Sequence, residues 1–182
     1  MTRIARGTMN QIKSLRIDLK QFKLTSENRR ILRKVDGLKL NSIKLPISKQ
    51  DYDWRIHKMG KNFYTTKFGD NTFSANKIKE LLTNEHNYNL LFSYSKENLN
   101  KEKLGYAICL QTNLIVHYCY PFYRLDIDTN NLGMGMMLKA ILWAKENEKN
   151  YMYLGSDQKY KQQFKGLQVW EKALRKWRRV DN

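Results

Sequence analysis

The sequence has little of what stabilises a secreted or metal-built protein. Its 182 residues include two cysteines, Cys109 and Cys119, and three histidines. No Cys-x-x-Cys pair occurs, and both thiols sit in strand-like apolar runs. A disulfide framework and a zinc site are therefore excluded, and no metal is expected. With two prolines and nine glycines there is little material for a long flexible linker, so one domain is expected over residues 1–182. No apolar run reaches the length of a membrane span, and no apolar signal segment follows Met1–Arg6; a cytoplasmic protein is expected. Acidic residues are the last scarcity. Seventeen Asp/Glu stand against 34 Lys/Arg, a net charge of +17.

Against these absences stand 41% hydrophobic and 12% aromatic residues, enough for a packed core rather than a disordered chain. The excess charge is uneven. Residues 1–44 hold twelve Lys/Arg and three Asp/Glu, and residues 156–182 hold eight and three, while the stretch between them is near neutral. Basic flanks around a neutral centre point to a polyanionic partner, RNA or a phosphorylated donor.

Residues 1–13 read as a loose basic lead-in. Ser14–Phe22 alternates Leu15, Ile17 and Leu19 with Arg16, Asp18 and Lys20, the period of a half-buried strand. Ser26 caps a predicted helix over 27–34, and Ser74 caps another to Leu82. Residues 44–56, with Pro46, read as loop with a turn of helix, and 62–68 as a strand. Leu90–Tyr94 is a strand, Lys96–Lys103 a polar turn, and 105–110 with 114–120 a hairpin. A helix follows with Met136, Ala140, Ile141 and Ala144 inward, then a strand at 151–155. Tyr160, Phe164, Leu167, Trp170, Leu174 and Trp177 recur at three or four residues, which predicts a last amphipathic helix over 158–178.

The most telling stretch is Asn131-Leu132-Gly133-Met134-Gly135-Met136-Met137, between a strand and a helix. The amides that open such a helix have no intrahelical acceptor, so a phosphate or carbonyl docks there. Antiparallel strands, then strand–glycine loop–helix–strand, is an α+β order. It resembles the GNAT acyltransferase fold, a central mostly antiparallel sheet with flanking helices. That resemblance implies two central strands that splay apart to admit the donor carbonyl, with the donor phosphates on the loop before the helix.

A narrower resemblance rests on four short motifs in one order. Ser14–Phe22 followed by Ser26-Glu27-Asn28-Arg29-Arg30-Ile31 resembles the strand and Ser-x-x-Arg-Arg segment of arginyl- and leucyl-tRNA–protein transferases. Asn131-Leu132-Gly133 is similar to their Ser-Leu-Gly, Tyr153-Leu154-Gly155 to their Tyr-Leu-Gly, and Tyr160-Lys161 with Phe164-Lys165 to their Tyr-Lys-x-x-Phe. The family's Tyr-Asp-Pro corresponds here to Phe122-Tyr123-Arg124-Leu125, which leaves Asp126 or Asp128 to supply the carboxylate. The resemblance implies transfer of an aminoacyl group from an aminoacyl-tRNA to the N-terminus of an acceptor protein or peptide. Gly133-Met134-Gly135 also resembles the acetyl-CoA loop of GNAT N-acetyltransferases, with Asn130 in place of its Gln/Arg. A non-catalytic RNA-binding module on the same fold is the third reading.

Either enzyme reading is acyl transfer to an amine, with aminoacyl-tRNA or acetyl-CoA as the donor and no tightly bound cofactor. No nucleophile-elbow motif is present, and direct attack by an amine needs none. By resemblance to GNAT enzymes Tyr160 is the acid, and Asp126 or His117 is the candidate base. The amides of Leu132, Gly133, Met134, Gly135 and Met136 and the residue Tyr153 are the expected substrate contacts. Arg29 and Arg30 are expected to meet an acceptor carboxylate or a tRNA phosphate, and Lys161 with Lys165, one helical turn apart, to track phosphates.

Overall fold

A computed structural model describes residues 2–3, 9–10, 14–96, 102–127 and 131–180 of the chain. Asp128, Asn130, most of the lead-in and the turn at 97–101 lie outside the described residues. A small ladder joins β1 (Thr2–Arg3) to β2 (Met9–Asn10). Among the described residues the main sheet has eight strands. They are β3 (Ser14–Asp18), β4 (Leu38–Lys44), β5 (Leu90–Lys96), β6 (Lys103–Gln111), β7 (Ile115–Tyr123), β8 (Tyr151–Ser156), β9 (Leu167–Glu171) and β10 (Lys176–Arg179). Their order is β10-β9-β3-β8-β7-β6-β5-β4, antiparallel except where β7 lies parallel to β8.

Four helices flank this sheet among the described residues: α1 (Ser26–Lys34), α2 (Trp54–Phe68), α3 (Ala75–Thr83) and α4 (Leu132–Glu146). Strand alternation divides the apolar residues between two faces. Leu15, Ile17, Phe92, Val116, Met152 and Leu154 pack with α1 and α4. Leu91, Tyr106, Ile108 and Phe122 pack with Ile56 and Phe63 of α2 and Ile78, Leu81 and Leu82 of α3. In α4, Met136, Ala140, Ile141 and Ala144 are all fully buried, the stripe that the sequence pattern predicted.

Local chemistry explains the helix starts. α1 begins in a capping box: the Thr25 hydroxyl accepts from the Asn28 amide, and the Asn28 side chain accepts from the Thr25 amide. The cap is thus Thr25 rather than the expected Ser26. Asp53 caps α2 and Ser74 caps α3.

The structure corrects the expected elements in four places. Residues 62–68 are not a strand but the second half of α2, whose buried Ile56, Gly60 and Phe63 have helical spacing. Residues 38–44 form the edge strand β4, paired along its length with β5. Its burial is slight beyond Leu38, so apolar alternation was a weak guide. The expected last helix over 158–178 is absent. A 3-10 turn, Lys159–Gln163, leads instead into the β9–β10 hairpin. At Gly166 the backbone takes φ +77°, and an added Cβ would lie 2.8 Å from the Asp18 carbonyl oxygen. That close passage ends any helix and delivers the chain to the open edge of β3, where Leu15 pairs with Val169 and Ile17 with Leu167. Leu167 and Val169, two residues apart, form the buried face of a strand, and the unpaired edge of β3 takes that strand up. Consequently Lys161 and Lys165 are not one helical turn apart.

Gly135 corrects the fourth expectation. It is buried, and a Cβ there would lie 2.6 and 2.8 Å from the Val35 methyls. It serves the close packing of α4 on the end of α1, not the approach of a ligand. Gly135→Val is therefore expected to lower stability by about 1–3 kcal/mol through overpacking. A melting temperature equal to that of the wild type would show that α1 yields without cost.

Candidate active site

The site originates in an irregularity of β7. Tyr120 pairs with Ile108 and Tyr118 with Cys109, so Cys119 is an extra residue, a bulge. Bulges bend a strand and increase its twist. On its other edge β7 meets β8 in only three pairs, ending at His117 and Tyr153. Beyond that pair the two strands diverge. Pro121, which lacks an N–H, falls in this diverging part of β7, where a ladder partner on the β8 side is no longer needed.

A cleft of about 520 Å³ fills the gap. Tyr118, Leu154, Met134 and Met137 line it on the α4 side of the sheet, and Phe63, Tyr64, Lys67 and Phe68 on the α2 side. The 3-10 turn brings Tyr160 and Lys161 to its mouth. α4 opens onto the same space through Gly133 and Met134. Its N-cap residue, Asn131, is left-handed (φ 72°) and makes no side-chain cap, unlike the caps of α1, α2 and α3. The Gly135 amide bonds the Asn131 carbonyl at 2.8 Å. The amides of Leu132, Gly133 and Met134 precede the first intrahelical bond and have no acceptor among the described residues. The Tyr123 ring covers Gly133 so closely that a Cβ there would lie 2.9 Å from it.

Lys161 is the unexpected centre of the site. It is only 6% exposed. Its ammonium donates to the Leu154 carbonyl at 2.7 Å and to the Ser156 carbonyl at 2.9 Å. Those carbonyls belong to β8 past the point where β7 leaves it, so the lysine meets acceptors that the splay left unpaired. Burial lowers its pKa from the ordinary 10.5 to about 8, with Asp157 opposing the shift. Beside it, the half-exposed Tyr160 hydroxyl is pushed above its usual range by burial, with a smaller contribution from Tyr123. It carries its proton at neutral pH. Burial lifts the Cys119 thiol to about 12, so it is no thiolate nucleophile.

The predicted residues separate into groups. Tyr160, Lys161, Gly133 and Met134 meet at the cleft. Leu132, Gly135 and Met136 turn into the core. Asp126 lies outside the cleft in a salt bridge with Arg124, which also pairs with Glu102. Arg124 holds the Asp126 carboxyl below the usual range, which makes it a poor proton acceptor. His117 and Tyr153 face the opposite side of the sheet from α4, their rings 6.0 Å apart, and Tyr153 accepts from Arg16 at 3.2 Å. Arg29 donates to the Leu24 carbonyl, Arg30 is bound to Glu27, and neither reaches the cleft. Sequence reasoning missed Phe63, Tyr64, Tyr118 and Tyr123. The one signal for this region was a proline within the strand-like aromatic run Tyr118-Cys119-Tyr120-Pro121-Phe122-Tyr123. Among the described residues no group of three or more His, Cys, Asp or Glu is placed to hold a metal, and no helix is long and apolar enough to cross a membrane.

The sequence model of the family described as "Arginine-tRNA-protein transferase, C terminus" matches residues 50–171. The Ser26–Arg30 segment lies outside that range. No curated protein matches the chain in sequence. Among solved structures, the L-PGS from Bacillus licheniformis is similar with a TM-score of 0.56 at 11% identity, over 79% of this chain and 46% of that one. FemX gives 0.55 at 11%, over 80% and 53%. A GCN5-related glucosamine N-acetyltransferase region of a fungal GH3 β-N-acetylglucosaminidase gives 0.54 at 12%, over 90% and 20%. At these identities the likeness shows the fold, that of the GCN5-related acyltransferases. The chain spans about half the length of the first two.

The buried lysine has a measurable signature. Between pH 8 and 10.5 the unfolded chain holds a proton on Lys161 that the folded chain has released, so this group's contribution to stability rises with pH across that window. In urea unfolding, the wild type is expected to gain on the order of 2 kcal/mol over Lys161→Met between pH 7 and 10. A gap that stays constant with pH would show that the ammonium is not desolvated.

Proposed function

The chain belongs to the family of arginine-tRNA-protein transferase C-terminal regions, and on that premise we propose that its cleft moves an aminoacyl group from an aminoacyl-tRNA to the N-terminal amine of a protein. Membership of that family makes the chain a transferase of the acyl-transfer class. The observation that carries the aminoacyl-transfer reading is the opening between β7 and β8, into which the uncapped start of α4, Tyr160 and Lys161 all converge.

The chemistry needs no covalent enzyme intermediate. The acceptor amine, neutral at the moment of attack, adds to the ester carbonyl of the donor. The tetrahedral oxyanion forms within reach of the amides of Gly133 and Met134, which have no acceptor among the described residues. The C–O bond to the terminal ribose then breaks, and Tyr160 supplies the proton that the leaving oxygen takes up. Lys161 in its neutral form accepts the proton that the amine sheds, and the exchange of protons balances. An α-amino group has a pKa of about 7.7–8.0, close to that of the buried lysine, a match that favours transfer between them. Lys161 therefore takes the role first expected of Asp126.

Tyr64 and Phe68 of α2, with Met134 and Met137 of α4, give the cleft apolar walls. Such walls reduce competing hydrolysis of the ester by water. Lys67 is the other cation at the opening.

The test is transfer to a peptide amine, with labelled aminoacyl-tRNA and labelled acetyl-CoA offered separately. Transfer from the tRNA ester and none from the thioester is expected. Tyr160→Phe should lower kcat by about 10²-fold or more. Wild-type activity should rise with pH through about 8, as Lys161 loses its proton. Lys161→Arg, which cannot deprotonate at working pH, should lose that limb along with most of its activity. Transfer from acetyl-CoA alone would replace this reading with the N-acetyltransferase one. A folded chain inert to both donors would leave the non-catalytic RNA-binding module.

A further inference from the structure

Among the described residues, the helices leave part of the sheet uncovered. α2 and α3 cover β5, β6 and β7 on the face opposite α4, but no residue of β8, β3, β9 or β10 joins their apolar cluster. On this half a single cross-strand row runs through His117, Tyr153, Arg16, Gln168 and Arg179, each paired in register with the next. The row starts at the last β7–β8 pair, where the cleft opens. At about 4.8 Å per strand, its four steps span roughly 19 Å.

Planar groups occupy the row. The Arg16 guanidinium lies 3.9 Å from the Tyr151 ring centroid and 4.3 Å from that of Trp177. Its Nε donates to Gln168 at 2.7 Å, and Nη1 to the Tyr153 hydroxyl at 3.2 Å. Trp177 meets Tyr153 edge to face at 5.5 Å and Trp170 at 5.5 Å. These rings are ordered by one another and by Arg16, yet they remain partly exposed. At the far end Arg179 joins Lys23, Arg29 and Lys165 around an open hollow of about 580 Å³. Asp18 is the one carboxylate there among the described residues, and it already accepts from the Lys20 amide. Lys23, Lys165 and Arg179 make no ion pair among the described residues.

We propose that this half-sheet is a track for a single-stranded RNA 3′ end, with its bases stacked on the Tyr153 and Trp177 rings, its phosphates held at the Lys23–Lys165–Arg179 hollow, and its terminus led to the cleft at the β7–β8 splay. Exposed aromatic faces bind any base, and cations on the flank neutralise the backbone. An acidic peptide would use the cations but not the rings. The inference rests on the proposed function only in making the donor an RNA.

Binding is measured by anisotropy on the full chain, with a labelled RNA hairpin bearing a short single-stranded 3′ extension and the same hairpin blunt. The wild type is expected to prefer the extended hairpin by about tenfold. The triple variant Lys23→Ala, Lys165→Ala, Arg179→Ala should bind it about tenfold more weakly at low salt, with a log–log salt slope shallower by about 2. Trp177→Ala should lose the preference for the extension and Trp177→Phe should restore it; should Trp177→Ala fail to melt cooperatively, the triple variant carries the test alone. Equal binding of the two hairpins, wild-type affinity in the triple variant, or displacement of the RNA only by an acidic peptide would overturn the track. Aminoacyl-tRNA transfer with unchanged KM in the triple variant would overturn the track and leave the proposed function standing. Extension-specific binding lost in the triple variant, in a chain that transfers from no aminoacyl-tRNA, would uphold the track and overturn the transfer reading.

Discussion

Two strands of one sheet part company at His117 and Tyr153, and the site depends on that parting. A parallel pair normally satisfies the edge of each partner. Here the bulge at Cys119 turns β7 away after three residue pairs, and β8 is left with carbonyls at Leu154 and Ser156 that need donors. Buried carbonyls do not stay unpaired. The 3-10 turn answers with Lys161, whose ammonium bonds both. One local defect thus creates the opening, places a cation within it and strips that cation of water. The lowered pKa of the lysine follows from the same geometry.

The rest of the molecule holds this defect in place. α4 packs across the sheet with its inward stripe fully buried, and each large apolar side chain so buried contributes about 1.5–3 kcal/mol. Gly135 lets α4 approach the end of α1, and Gly133 lets Tyr123 lie over the helix start. These contacts fix where the first amides of α4 point. α2 closes the other side with Phe63 and Tyr64, the latter anchored by its hydroxyl to the Pro121 carbonyl at 3.1 Å. Catalysis by positioning needs such rigidity, because misplacement by an ångström costs orders of magnitude in rate.

Charge and fold divide the work. The basic excess is not in the cleft, where Lys67 and Lys161 are the cations. It gathers on the outer strands and on α1, as in the hollow of Lys23, Arg29, Lys165 and Arg179. Arg29 and Arg30 show how adjacent residues diverge: one lines that hollow and the other is tied to Glu27. A pair that looked like a unit in the sequence is two separate side chains on a helix.

What the sequence determined by itself was the part governed by short-range pattern. The hairpin of β6 and β7, the inward stripe of α4 and the strand β8 were legible because local alternation and helical period have a single solution there, whereas the glycines expected in a turn before the helix lie inside α4. So was the family resemblance at Leu132-Gly133, Tyr153–Gly155 and Tyr160-Lys161. Tertiary structure decided the remainder. Residues 158–178 had a helical spacing, but the free edge of β3 and the tight passage at Gly166 made them a turn and a hairpin. Tyr153 and Asp126 stood near the right motifs, yet strand alternation turned one away from the cleft and Arg124 took the other. The role of Lys161 was least visible of all. Its surroundings are carbonyls freed by a bulge on a strand more than thirty residues earlier, and no local pattern encodes which backbone groups a distant strand will leave unpaired.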